Sequence, residues 1–459
     1  MHERTDEQEH RQKQDPSPYR GVDAHYIDPV LPSYQGNPLI EALPPINTEK
    51  EAVRLLEYYS SYNEQDRLLP PELRLQLIQN NIRFLQPLSS HIRLEQIFSG
   101  MLRSGYVERN PFVKGTFRIK NLLRSQFLEE EPSTSPPSQY IVQGCAIVGM
   151  SGTGKKAAIS AVLALYDQII NHSFYHDQPF TVRQLTWMKL ECPQDGLLRG
   201  LCKNFFKEID RLMGTNTNEV YVRNGSQSID NMLNDMVNVA AGHCLGVLVI
   251  NDVQNLHEAK RNDATRMLNF LVRFSNRAGI PVILVGTPKA LPALGGELFH
   301  ARRTSEQGTF LWDRMQEDEE WNIFTDALWR YQYLRQFTPL SNELRHVLYD
   351  ESQGIADLAI KLYKLAQIEA ITCARTDKEE VITKELLHSV AQDRLCLVQP
   401  FLNALRVGEK VPEELREYED IAHINLEEVE QEAKNKLYNT RNEAPTLPSA
   451  DEEKTNEQK

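Results

Sequence analysis

The stretch Gly149-Met-Ser-Gly-Thr-Gly-Lys155-Lys156 decides the reading of this chain. The mostly apolar run Ile141–Val148 precedes it, and Ala157-Ala-Ile-Ser-Ala-Val-Leu-Ala-Leu165 follows. Strand, glycine-rich turn and helix in that order are the setting of a phosphate-binding P-loop. Glycine takes the φ values that let successive backbone N–H groups curl around phosphate oxygens. The helix N-terminus adds its dipole, and Lys155 is placed to reach the terminal phosphates. Gly149, Ser151, Gly152, Thr153, Gly154, Lys155 and Lys156 are therefore the candidate nucleotide-binding residues. The eighth position departs from the pattern. A Ser or Thr hydroxyl there would ligate Mg²⁺, whereas Lys156 presents an ammonium, which cannot.

Composition sets the frame. The chain has 459 residues, 41% hydrophobic and 25% charged, with a net charge of −13. No overall basic field draws such a protein to nucleic acid or anionic lipid, so any DNA contact must be a local patch. The first residues, Met1-His-Glu-Arg-Thr-Asp-Glu, are too polar for a signal peptide. No run approaches the ~18 apolar residues of a membrane span, and a cytoplasmic protein without membrane contact is expected. The cysteines at 145, 192, 202, 244, 373 and 396 form no CxxC pair. Neither a zinc site nor a disulfide framework is indicated, and most should be buried small hydrophobes.

The organisation follows from pattern. Residues 1–20 are polar and expected to be disordered. Residues 21–128 read as a proline-bearing extended arm (Tyr26–Ile46) followed by helices around Glu49–Tyr59, Pro71–Leu85 and His91–Leu102. Within 103–124 stand six basic residues, Arg103, Arg109, Lys114, Arg118, Lys120 and Arg124, against one acid, Glu108. That stretch reads equally as a solvated face or as a phosphate-contacting patch. Residues 129–139 are a linker by composition. Over 140–317 strands alternate with helices: Ile141–Val148, Gln184–Leu190, Leu245–Ile250 and Pro281–Val285 as strands, and Lys155–Tyr166, Leu197–Leu212, Ser228–Ala241 and Ala264–Arg277 as helices. The alternation implies an α/β core with a parallel sheet, its ligand beyond the carboxyl ends of the strands. Residues 318–408 read as an all-helical lid, and 409–459 as a charged, partly disordered tail.

A second element supports the P-loop. Leu245-Gly-Val-Leu-Val-Ile250-Asn251-Asp252 has the form of a Walker B strand, but the usual aspartate and glutamate are Asn251 and Asp252. Asn251 is neutral and a poorer partner for a hard cation. Asp252 is one methylene short, and catalysis is sensitive to ~1 Å of misplacement. Side chains alternate faces along a strand, so Asp252 is expected to point away from the metal position. Pro281-Val-Ile-Leu-Val-Gly286-Thr287 ends beside the P-loop strand, which makes Thr287 a candidate phosphate sensor. ATP is the expected cofactor, and Mg²⁺ has no dependable seat. Lys156 either replaces the metal against the β- and γ-phosphates or points into solvent.

The chain resembles the TnsC/TniB family of AAA+ regulators of Tns-type transposons from about Tyr26 to Gly408. The resemblance lies in Gly36-Asn-Pro-Leu-Ile-Glu-Ala-Leu-Pro-Pro45, Phe84-Leu-Gln-Pro-Leu88, Gly105-Tyr-Val-Glu-Arg-Asn-Pro111 and the P-loop. It continues through Gly246-Val-Leu-Val-Ile-Asn-Asp-Val-Gln254, Gly286-Thr-Pro-Lys-Ala290, Ala301-Arg-Arg303, Trp312-Asp-Arg-Met315 and Ser352-Gln-Gly-Ile355. It implies a AAA+ P-loop NTPase core, a parallel sheet flanked by helices, with an N-terminal helical region and a C-terminal helical lid. It further implies a ring- or filament-forming homo-oligomer on double-stranded DNA, linking a target-selector protein to transposase subunits. Arg302 and Arg303 are the candidate arginine finger, with Arg314 behind them. No lid sensor arginine stands near Gly354; Asp357 occupies that region.

Lys156, Asn251 and Asp252 depart from the family pattern at the metal-linked and catalytic positions. A regulator whose ATP hydrolysis is lost or very slow is the reading this favours, acting alone or beside an active paralogue. The alternatives are a working DNA-stimulated ATPase of the same family, or a nucleotide-gated loader or signalling ATPase unrelated to transposition.

Overall fold

The computed structural model describes residues 21–113, 144–222, 227–258, 261–290, 309–374, 376 and 379–407. The expected disordered ends, the linker, Lys114, Arg118, Lys120, Arg124, Arg302 and Arg303 lie outside the described residues. In chain order the described strands are β1 (Val22–Asp23), β2 (Tyr58–Tyr59), β3 (Phe84–Leu85), β4 (Gly144–Gly149), β5 (Ile169–Tyr175), β6 (Gln178–Leu185), β7 (Trp187–Glu191), β8 (Val247–Asn251), β9 (Val282–Gly286) and β10 (Thr309–Trp312).

The unbroken apolar runs become the centre of the sheet. β8 and β9 are buried at every position, as expected of parallel strands covered on both faces. The sheet has the order β10-β4-β9-β8-β7 and every pair in it is parallel. The two faces separate by residue parity. Leu248 and Ile250 join the helices Leu198–Met213, Ile229–Gly242 and Arg261–Ala278 in one core. Val247 and Val249 join the P-loop helix Lys155–Ala164, the helix Ser89–Val107 and the N-terminal arm in the other. Each fully buried Leu, Ile or Phe contributes roughly 1.5–3 kcal/mol, so both layers are needed.

Several strands escaped the sequence reading: β1, β5, β10 and most of β6, together with β2 and β3, which pair antiparallel where the ends of two helices were expected. β5 and β6 form an antiparallel hairpin, extended at its edge by β1, which pairs parallel with β5. The expected strand at 184–190 is in fact two, β6 ending at Leu185 and β7 beginning at Trp187. β10 closes the sheet beyond β4.

The arm lies on the core, with a buried turn of helix at Pro38–Glu41 capped by the Asn37 side chain. Asn37 Nδ2 also donates to the Tyr106 carbonyl at 2.8 Å, and Asn110 Nδ2 to the Gly36 carbonyl at 2.9 Å. The N-terminal helices divide between two bodies. Ser89–Val107 packs on the sheet, whereas Ile78 and Ile82 join the core of the C-terminal helices. There Arg74 and Glu380, both buried, form a two-pronged ion pair at 2.6 and 2.8 Å.

Burial also settles part of the basic stretch. Arg103 is 3% exposed and donates to Ser99 and to the Pro44 carbonyl. Arg109 is 9% exposed and donates to the carbonyls of Gly105, Leu245 and Gly246. These two guanidiniums satisfy backbone oxygens inside the fold and present no charge to a phosphate backbone. Among the cysteines, Cys145, Cys192 and Cys202 are buried and all six are free. No helix among the described residues is long and apolar enough to cross a membrane.

Candidate functional site: the P-loop and its neighbours

The P-loop leaves β4 at the carboxyl edge of the sheet. Gly152 and Gly154 have φ of +79° and +94°, the left-handed region where glycine alone is unstrained. Gly149 is required for a different reason: a Cβ there would meet the Trp312 carbonyl oxygen of β10 at 1.8 Å. The loop is braced from within and from that strand. Thr153 Oγ1 donates to the Met150 carbonyl at 2.8 Å, and Trp312 Nε1 donates to the Thr153 carbonyl at 2.9 Å. Lys155 is buried with its ammonium on the Met150 carbonyl, while Ser151 is exposed.

Lys156 reaches across the site. Its Nζ lies 2.6 Å from Asp252 Oδ2, with the lysine side chain 59% and the aspartate side chain 27% exposed. The strand-parity expectation fails at Asp252 for a definite reason. β8 ends at Asn251, and Asp252 has φ +55°, so the chain turns before alternation could carry the carboxylate to the opposite face. Gln254 Nε2 donates to Asp252 Oδ1 at 2.9 Å, and Gln254 Oε1 accepts from the Thr287 N–H at 3.3 Å. Thr287, buried, stands one residue beyond the Val148–Gly286 partnership, level with the start of the P-loop. Gln254 thus joins the candidate sensor to the Lys156–Asp252 pair, a role no local sequence signal marks.

Parity does place Asn251. It shares the face of Val247 and Val249, the one packed on the P-loop helix. It is 3% exposed; its Nδ2 donates to Glu191 Oε1 at 3.0 Å, and its Oδ1 has no hydrogen-bond partner. Glu191 is in register with Asn251 and lies two residues beyond Lys189, whose Nζ touches Ser160 of the P-loop helix at 3.4 Å. It therefore faces the first turn of that helix. Sequence reading missed Glu191; aligning the carboxyl ends of the two apolar runs would have found it. Its carboxyl is raised, by burial first and then by its hydrogen bond with Asp252. For Asp252 burial works against charge, but hydrogen bonds with Glu191, Lys156 and Gln254 outweigh it and hold the group below the usual aspartate range.

The helical body meets the loop directly. Met150 packs with Ile355, Leu358, Phe401, Leu402 and Leu405, and the Asp357 N–H donates to the Gly152 carbonyl at 3.0 Å. The Asp357 carboxylate pairs with Lys361 at 3.6 Å. Arg314 is engaged within its own chain, donating to the Gln353 carbonyl at 2.9 Å and to its side-chain oxygen at 3.2 Å.

For the phosphates of a nucleotide these residues fit: left-handed glycines, the start of a ten-residue helix and a lysine beneath the loop. For Mg²⁺ they do not. An ammonium stands at the hydroxyl position and is paired with Asp252, and among the described residues the buried oxygen left here without a hydrogen-bond partner is the neutral Asn251 Oδ1.

Residues 143–294 match the family described as the AAA domain. No curated protein sequence matches. The ORC1 protein of Aeropyrum pernix, in its complex with DNA, is similar at 13% identity over 72% of this chain and 70% of that one, with a TM-score of 0.40. The ORC2 protein of the same organism gives 14%, 74%, 84% and 0.36. A Walker-type ATPase of Pyrococcus abyssi gives 12%, 58%, 71% and 0.35. At these scores the likenesses carry no argument about function. The AAA match spans the strands that deliver the P-loop, Asn251 and Thr287, and with the five-stranded parallel sheet it assigns the chain to the AAA+ P-loop fold.

Proposed function

We propose that this chain is an ATP-binding, oligomeric regulator of transposition that assembles on double-stranded DNA and links a target selector to the transposase, with ATP hydrolysis lost or very slow. The observation that carries the nucleotide half is the Lys156–Asp252 ion pair across an otherwise intact phosphate loop. In a working P-loop ATPase a metal ion bridges the β- and γ-phosphates and neutralises the developing charge. Here Lys156 replaces the metal-ligating hydroxyl and its ammonium sits on Asp252, which supports a loop that keeps its binding elements without its turnover elements. The DNA and transposition half is supported by the sequence resemblance, whose motifs extend outside the nucleotide site. Arg302 and Arg303 remain its candidate arginine finger, and the homo-oligomer its expected form.

The direct experiment is DNA co-sedimentation and light scattering with ATP, with ADP and without nucleotide. Wild type should form large DNA-bound assemblies with ATP only, and Lys155→Ala should form none. Equal assembly in all conditions would remove nucleotide from the account. Glu191 favours a second reading, a working ATPase of the same family. Its raised carboxyl faces the P-loop helix and could accept a proton from water, in which case Glu191→Gln abolishes phosphate release.

A further inference from the structure

Two lysines open the P-loop helix, and they do different things. Lys155 is buried under the loop. Lys156, one residue on, leaves the cradle, crosses to β8 and ends on Asp252 at 2.6 Å. Its stem is more exposed than buried, so the ammonium can swing about a flexible four-carbon chain between Asp252 and a phosphate bound at the same helix start.

We propose that this site takes nucleoside triphosphate free of divalent metal, with Lys156 serving as the built-in counter-charge. The inference rests on the nucleotide-binding reading of the P-loop and adds the ionic form of its ligand. Mg²⁺ demands near-octahedral oxygen ligation and gives up its water reluctantly. Position 156 offers nitrogen and a positive charge in place of oxygen. Asn251 offers one neutral oxygen, its amide nitrogen being held by Glu191. Asp252 has one oxygen on Lys156 and the other on Gln254, and the remaining carboxyl, Glu191, is hydrogen-bonded with Asn251 and with Asp252. A metal ion entering here must displace one cation from its partner and then sit beside it, and like charges a few ångström apart repel. A metal-free triphosphate meets no such conflict. It carries the charge that Mg²⁺ would otherwise neutralise, and it meets two ammonium groups and a helix N-terminus. Lys156 then exchanges one anionic partner for another, while Gln254 still holds Asp252.

The test is the ATP dissociation constant by calorimetry, in EDTA and in excess Mg²⁺, for wild type, Lys156→Arg, Lys156→Met and Lys156→Thr, each first checked for an unchanged thermal melt. The expected result is a wild-type affinity that differs less than about threefold between EDTA and Mg²⁺. Lys156→Arg should behave the same way, Lys156→Met should lose about tenfold or more in EDTA, and Lys156→Thr should bind at least about tenfold tighter with Mg²⁺. Tenfold is about 1.4 kcal/mol. A wild-type affinity that falls tenfold or more in EDTA overturns the inference and leaves the nucleotide reading standing. Absence of ATP binding in both media overturns both.

Discussion

Lys156 Nζ lies 2.6 Å from Asp252 Oδ2, joining the start of the P-loop helix to the turn that follows β8. The two residues stand 96 positions apart in the chain, and each departs from the usual residue at its place. A cation at the hydroxyl position and an anion turned back toward it compensate one another, which a single substitution would not.

Removing the anion should strengthen nucleotide binding. Asp252→Asn frees Lys156 and lowers the negative charge beside the phosphates. Pairs this exposed are worth about 0–1 kcal/mol after solvent screening, so the ATP dissociation constant should fall by no more than about fivefold. Calorimetry at low and moderate salt checks this, and weaker binding would count against the geometry.

The buried pair Arg74–Glu380 ties the helix Pro71–Asn81 to the C-terminal helical body. Arg74→Met leaves the Glu380 carboxylate without its guanidinium and should cost about 3–5 kcal/mol, while Arg74→Met with Glu380→Leu should recover much of that. Urea unfolding of the single and double variants measures both. A single variant as stable as wild type would show that the helix is not held this way.

Acid should destabilise the fold partly through His91. Burial pushes its imidazole down to about 4, where it accepts from the Leu88 N–H at 3.2 Å and meets the Trp312 ring edge-on at 5.1 Å. In the unfolded chain it titrates near 6.5. A group depressed on folding gives its full stability above the unfolded value and loses it as pH falls from about 6.5 to about 4, on the order of 3 kcal/mol. Thermal melts at pH 7.5 and 4.5 should therefore show a smaller acid shift for His91→Gln than for wild type. Equal shifts would mean the ring is accessible.

Gly149→Ala should lose both stability and nucleotide. Its Cβ would fall 1.8 Å from a backbone oxygen of β10, which cannot move aside as a side chain could. Overpacking of this kind costs about 1–3 kcal/mol. A lower melting temperature together with lost ATP binding is expected; an unchanged melt would place β10 elsewhere.

Much of this was legible in the chain. β8 and β9 announce themselves because a parallel strand buried on both faces must be apolar throughout, and the P-loop because its glycines and lysine have fixed spacing. The β5–β6 hairpin was not, since Asn171, His172, Ser173, Asp177 and Gln178 interrupt its apolar pattern, and β10 is only four residues long. Arg103 and Arg109 read as surface charge because sequence cannot see the carbonyls of Pro44, Leu245 and Gly246 waiting for them. Asp252 was misdirected by a rule of strand alternation that stops where the strand stops. Glu191 shows itself once the carboxyl ends of the strands at 184–190 and 245–250 are aligned, as β7 and β8 are, whereas Gln254 acquires meaning only through the turn after β8.

The central claim is that the site holds ATP and does not turn it over. Steady-state phosphate release from the purified protein, with ATP, Mg²⁺ and double-stranded DNA, tests it most directly. The account predicts release no faster than about 10⁻³ s⁻¹ with or without DNA, against roughly 1 s⁻¹ or more for an ordinary enzyme. DNA-stimulated release near 1 s⁻¹ that survives in wild type and vanishes in Lys155→Ala would contradict it.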